Sequence, residues 1–212
     1  MQSIDPTTTG IACLVLTIDV KNEHVRTASR KQPFSYPKGA YVMPVVRIET
    51  DGKSGMEKNP DLTATLTRLI VDAARRPEVR SIQIDYDARV NERQFYRQLL
   101  SSVRERLPVT VDLSITALAS WCLYDYWLSG LPVNEVVPMF FSMGVEDKSV
   151  KSIVSSRRHF AHRFRAIGLS MQNTDLCSLQ LEKNGFISGG ARRYLFSGVP
   201  WSNELVERTT VR

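Results

Sequence analysis

Between Ser81 and Asp87 the chain reads SIQIDYD, and every second position from Gln83 carries a polar group: Gln83, Asp85 and Asp87. Side chains alternate along a strand, so these three share one face and Ile82, Ile84 and Tyr86 share the other. Two carboxylates on one face repel as anions, and burial adds to that repulsion, so one of the two is pushed toward its protonated form. In a barrel such a polar face points inward, toward the C-terminal mouth where barrel enzymes place their catalytic groups.

Two further runs carry the same pattern. Arg47 and Glu49 share a face opposite Val46 and Ile48, and Asp112, Ser114 and Thr116 share a face opposite Val111, Leu113 and Ile115. Desolvated carboxylates need a partner, and Arg47 is the expected one for Asp85 or Asp87. Trp121 follows Thr116 at the end of its strand and Trp201 follows the last strand in GVPW, where an indole face can stack on a sugar ring or simply pack. The expected site centres on Asp87 and Asp85, whose position at that mouth makes them the candidates for catalytic groups. Gln83, Arg47, Glu49, Thr116, Trp121 and Trp201 are expected to hold an oligosaccharide. The other reading of the same residues is a satisfied polar layer with no ligand.

Other chemistries lack support. The Cys residues are 13, 122 and 177, without a CxxC or zinc spacing. His159 and His162 stand three apart with no carboxylate on that helix face, so no metal is expected. There is no P-loop or GxGxxG, and Gly189–Gly190 reads as a plain turn, so no cofactor is expected.

The elements that would position these groups alternate. Ile11–Val20 reads as a buried strand, followed by a loop to about Gly39. Tyr41–Ile48 is β-rich, with Pro44 arguing for an edge or irregular position. Asn59 and Pro60 are placed as N-cap and first residue of a helix with Leu62, Leu66, Leu69, Ile70 and Ala73 on one face. Asn91 and Gln94 have capping-box spacing before a second helix, whose apolar face is Phe95, Leu99 and Val103. Strands are expected at 81–87, 109–117, 135–143, 167–171 and 193–197. Helices are expected around 121–128, from about 147 to 165, and near 176–182.

Strand followed by helix throughout predicts a parallel sheet with right-handed crossovers. An eight-stranded (β/α) barrel takes about 250 residues, rarely fewer than about 200. With 212 residues and seven candidate strands, the fold class is α/β, a parallel barrel-like domain that is incomplete at its N-terminus. A single domain spans 1–212, with flexible ends at 1–10 and 202–212. Missing a strand leaves open edges, which a second copy or a partner would cover.

Composition bounds the rest. Hydrophobic residues are 42% and charged residues 24%, values of a globular chain, and no apolar run approaches the length of a membrane span. The net charge of +6 is concentrated in KSIVSSRRHFAHRFR from Lys151 to Arg165. That run reads as a solvated helix face with Phe160 and Phe164 turned inward, and nucleic acid ranks last among partners. MQSIDPTTTG lacks the basic start of a signal peptide. The chain as written is expected to be cytoplasmic, with an exported parent form left open.

The blocks SIQIDYDARVNERQFYRQLL, LSITALASWCL and LPVNEVVPMFFSMG resemble a bacterial family of unknown function, from about Tyr41 to Trp201. That resemblance implies a TIM-barrel-like domain without established activity, found in exported or lipoprotein-like contexts. More distantly, Gln83, Asp85 and Asp87 are similar to the D-x-D-x-E strand of chitinase-like glycoside hydrolases. Its final Glu protonates the glycosidic oxygen. That likeness implies Asp87 as general acid and Asp85 as the group that positions an acetamido substituent, although Gln83 carries no charge and Asp87 is a methylene short. A carbohydrate-acting hydrolase and a non-catalytic carbohydrate-binding or scaffolding barrel are the two functions this supports.

Overall fold

A computed structural model describes residues 2–33, 35–52, 55–124, 126–141, 163–171 and 181–210. Eight strands form one sheet: β1 (Ile11–Lys21), β2 (His24–Ser29), β3 (Val42–Thr50), β4 (Ser81–Asp85), β5 (Asp112–Leu118), β6 (Glu135–Met139), β7 (Phe164–Ser170) and β8 (Ile187–Phe196). Their order is β2-β1-β3-β4-β5-β6-β7-β8. Every neighbouring pair is parallel except β1 with β2, and the sheet does not close on itself. This is an open, barrel-like α/β domain.

The seven parallel strands are the seven legible in the sequence. The eighth, β2, lies in the stretch read as a loop. Asn22 and Glu23 turn the chain with φ of 48° and 63°, so both central residues are left-handed, as a type I′ hairpin requires. β2 thereby covers the edge of β1, while the outer edge of β8 has no strand partner among the described residues.

One face of the sheet is apolar and carries the helices. Leu16, Ile18, Val46, Ile48, Ile82, Ile84, Leu113 and Ile115 belong to one buried cluster with residues of α1 (Pro60–Ala73) and α2 (Arg93–Arg106). Leu62, Leu66 and Ile70 recur every four residues and give α1 its buried stripe; Phe95, Leu99 and Val103 do the same for α2. Asn59 caps α1 as expected, its Oδ1 accepting the Leu62 N–H at 3.0 Å. The start of α2 differs from expectation. The Glu92 carboxylate accepts the Arg89 N–H at 2.7 Å and the Thr50 hydroxyl, while Asn91 turns aside to the Gly52 carbonyl. A buried Glu that needs donors outcompetes a weaker amide cap.

Pro44 does not mark an edge. β3 lies between β1 and β4, and the irregularity a proline calls for appears beside it, as a register shift between Leu14 and Leu16. β7 and β8 start earlier than their alternation suggests. Phe164 and Arg165 are strand and not helix, and β8 takes in Gly189 and Gly190. Gly190, at φ +77°, allows the shift that follows Phe164 in the pairing with β7. The basic run from Lys151 through His162, including Phe160, lies outside the described residues, as does the onset of the helix expected near Leu176.

After β8, helix α4 (Asn203–Thr210) returns to the first strand. Val206 packs with Ile4, Ile11 and Cys13, and the Gln2 N–H reaches Asn203 Oδ1 at 3.2 Å. Gln2 and Ile4 thus lie against α4. No helix among the described residues is long and apolar enough to cross a membrane.

Candidate functional site

The second face of the sheet carries the polar groups. Register places Val45, Val46 and Arg47 of β3 beside Gln83, Ile84 and Asp85 of β4, and Gln83 beside Ser114 of β5. Equal register means equal face, so Arg47 and Asp85 share a face one pleat repeat above Gln83 and Ser114. The alternation read from the sequence holds. Gln83, Ser114 and Thr116 are buried, and the opposing Ile82, Ile84 and Ile115 are sealed against the helices.

At the C-terminal end of this face stand the acids. Thr116 Oγ1 donates to Asp85 Oδ1 at 2.7 Å, and Arg47 Nη1 lies 3.8 Å from Asp85 Oδ2. Arg47 Nε also donates to Glu49 Oε1 at 2.9 Å. Arg47 and Glu49 are about half exposed, so these ion pairs contribute at most about 1 kcal/mol each. Regular strand ends at Asp85, yet alternation continues: Tyr86 is buried, Asp87 exposed and Ala88 buried. Lost hydration raises the pKa of the Asp87 carboxyl, the charge of Asp85 raises it further, and Arg47 partly offsets both. The result is two carboxylates two residues apart in different surroundings, one tied by a hydroxyl and one pushed toward its acid form.

Below them runs a hydrogen-bonded chain that the sequence did not reveal. Gln83 Nε2 donates to Ser114 Oγ at 3.1 Å, and Ser114 donates to Glu135 Oε2 at 3.0 Å. Tyr194 of β8 donates to the same oxygen at 2.6 Å, and Arg192 Nη1 pairs with Glu135 Oε1 at 3.0 Å. β8 therefore reaches β6 across β7. It can do so because β7 presents only Ala166 and Gly168 beside Arg192 and Tyr194. Gln83, expected to bind ligand, is spent inside this chain.

The tryptophans stand elsewhere. Trp121, on α3 (Ala119–Tyr124), is buried in the helix-side core, edge-on to Trp127 at 4.9 Å. Trp127 in turn meets Tyr96, which meets Tyr86. Trp201 packs beside Ile4, Ile11, Cys13 and Val206, at the N-terminal end of β1. The structure thus gathers Arg47, Glu49, Asp85, Asp87 and Thr116, and does not bring Trp121 or Trp201 to them. Cys122 is buried, and burial pushes its thiol pKa up, away from the thiolate a nucleophile needs. Among the described residues no three His, Cys, Asp or Glu side chains converge as metal ligands.

Aromatic groups do reach this face from other strands. Phe141 lies just beyond β6 and Phe196 ends β8, their ring centroids 4.6 Å apart. Nothing in FFSM or YLF distinguishes them in sequence; only the pairing of β6, β7 and β8 brings them together.

No curated protein and no solved structure matches the chain. One family model, described as a domain of unknown function (DUF3142), matches residues 38–132. That segment holds β3, α1, β4, α2, β5 and α3, and with them Arg47, Glu49, Asp85, Asp87 and Thr116, but not Glu135, Phe141 or Phe196. Over residues 38–132 the chain is similar to this uncharacterised domain family, and the acidic end of its sheet lies inside the matched segment.

Proposed function

We propose that the acidic end of the sheet is a carbohydrate-acting site in which Asp87 is the general acid. The observation that carries the reading is the unequal pair: Asp87 is exposed at the strand end with its pKa raised, beside the charge of Asp85. Groups whose surroundings drive them apart in this way divide acid and anion roles between them. Asp87 would pass its proton to the glycosidic oxygen as the bond to the anomeric carbon breaks, and water would then add to that carbon and return a proton to Asp87. Asp85, steadied by Thr116, would orient an acetamido group or offset the positive charge that develops on the sugar. Arg47, within 3.8 Å of Asp85, partly offsets the rise in the Asp87 pKa.

A second reading has an observation of its own. Gln83 is buried, its amide N–H donates to Ser114 and it carries no charge, so the first position of the three-residue polar pattern supplies no acid. A barrel that only binds carbohydrate needs no such group. Turnover separates the two. With chitin- and peptidoglycan-like oligosaccharides, the hydrolase reading expects product from the wild type and none from Asp87→Asn with the fold intact. Binding without product supports the non-catalytic module. Equal turnover by the variant removes Asp87 from the chemistry.

A further inference from the structure

Phe140 and Phe141 are adjacent in sequence and have opposite fates. Phe140 is buried in the helix-side core, edge-on to Phe186 at 5.2 Å. Phe141 takes the other face, only partly buried, with its ring 4.6 Å from that of Phe196 and tilted by 36°. Phe196 is likewise only partly buried. Further down the same face, Val137 and Ala166 are completely sealed. The aromatic pair therefore marks where the sheet's inner face opens, at the end of β6 and β8 that corresponds to Asp85 and Asp87 on β4.

The pair exists because of Gly168. A Cβ there would stand 3.1 Å from Phe196 Cε2 and 3.4 Å from both Phe141 Cε1 and Met139 Cγ. The bare backbone of β7 lets both rings lie across it. The anchoring of β8 on Glu135 through Tyr194, two residues before Phe196, sets their register. An acidic wall on β4 and an aromatic wall across β6 to β8 then share one face and one end of the sheet. Carboxylates accept hydrogen bonds from hydroxyl and amide groups, and ring faces take the C–H side of a pyranose. Acid with aromatic also suits an organic cation, but the Arg47 guanidinium between Glu49 and Asp85 disfavours one.

We propose that Phe141 and Phe196, laid over Gly168, are the stacking platform that holds a sugar ring opposite Asp87. The assignment rests on the reading of this end as a carbohydrate site and names the part of it that supplies apolar affinity. The test is calorimetric titration of tetra-N-acetylchitotetraose and of a peptidoglycan-like disaccharide into the wild type, Phe196→Leu, Phe141→Leu and Phe196→Tyr. Leucine keeps apolar volume and removes the ring face, so each Leu variant should bind about tenfold more weakly, near the upper value of an aromatic contact. Phe196→Tyr keeps the ring and should stay within about twofold of the wild type. Oligosaccharide binding that survives both Leu variants unchanged overturns the platform and leaves the carbohydrate site standing. A wild type that binds neither oligosaccharide overturns both. Preferential binding of tetramethylammonium, lost in the Leu variants, overturns the sugar and assigns the platform to a cation.

Discussion

Thr116 on β5 donates its hydroxyl to Asp85 on β4 at 2.7 Å, across the strand boundary and into the face that Asp87 extends. This bond makes two near-identical side chains unequal. Asp85 has a hydroxyl donor and a guanidinium within 3.8 Å; Asp87 has neither a hydrogen-bond donor nor an ion pair among the described residues, and faces the charge of Asp85.

That inequality has a thermodynamic signature. The Asp87 pKa is raised in the folded chain, so between the unfolded value near 3.8 and the folded value the native state holds more protons than the unfolded one. Stability from this group is complete below that window and falls as pH rises through it. Asp87→Asn should therefore melt higher than the wild type at pH 7, and the difference should vanish toward pH 3. A variant that melts lower at neutral pH, measured by calorimetry at both pH values, contradicts the assignment.

Glu135 gathers three donors, from Ser114, Tyr194 and Arg192. Glu135→Ala leaves the buried Ser114 hydroxyl and the Tyr194 phenol without their acceptor, at a cost of about 2 kcal/mol. Glu135→Gln keeps an acceptor and should lose less. Urea midpoints that rank the two variants in the reverse order would show that the contacts with β8 do not hold this edge.

What was legible in the chain follows from which contacts are local. SIQIDYD and VTVDLSITA showed which residues face inward, because pleating has a period of two wherever the strand is placed. Asn59-Pro60 announced α1 for the same local reason. The Glu135 chain was not legible, since EVVPM offers one polar residue, and its partners on β8 lie 57 and 59 residues further on. β2 stayed hidden because an exposed edge strand such as HVRTAS has no apolar alternation, and Asn22-Glu23 lacks the glycine that usually marks such a hairpin. The places of the tryptophans were not legible, because adjacency to a strand end in sequence does not fix which side of the sheet the following residues take.

Trp121 illustrates the point and can be checked. Buried against Trp127, it is a core residue, and Trp121→Ala should cost about 3–5 kcal/mol in denaturant unfolding. Oligosaccharide affinity per folded molecule should not change. Lost affinity at unchanged stability would return Trp121 to the ligand.

Tyr96, on the buried face of α2, is sealed, and its hydroxyl has no hydrogen-bond partner among the described residues. Burial raises its pKa first, with the charge of Asp85 adding to the effect, so the phenol stays neutral. Removing an unpaired buried hydroxyl relieves its desolvation cost. Tyr96→Phe should be neutral or more stable by up to about 1 kcal/mol in the same unfolding assay; a clear loss would mean that the hydroxyl is paired.

The unequal acids can be observed directly. The side-chain carboxyl carbons of Asp85 and Asp87 can be titrated by NMR in the wild type, with and without tetra-N-acetylchitotetraose. The account predicts that Asp87 titrates above the ordinary value of 3.8, that Asp85→Asn lowers its midpoint, and that the oligosaccharide shifts the Asp87 resonance. An Asp87 midpoint at or below 3.8 that ignores both Asp85 and the sugar would contradict it.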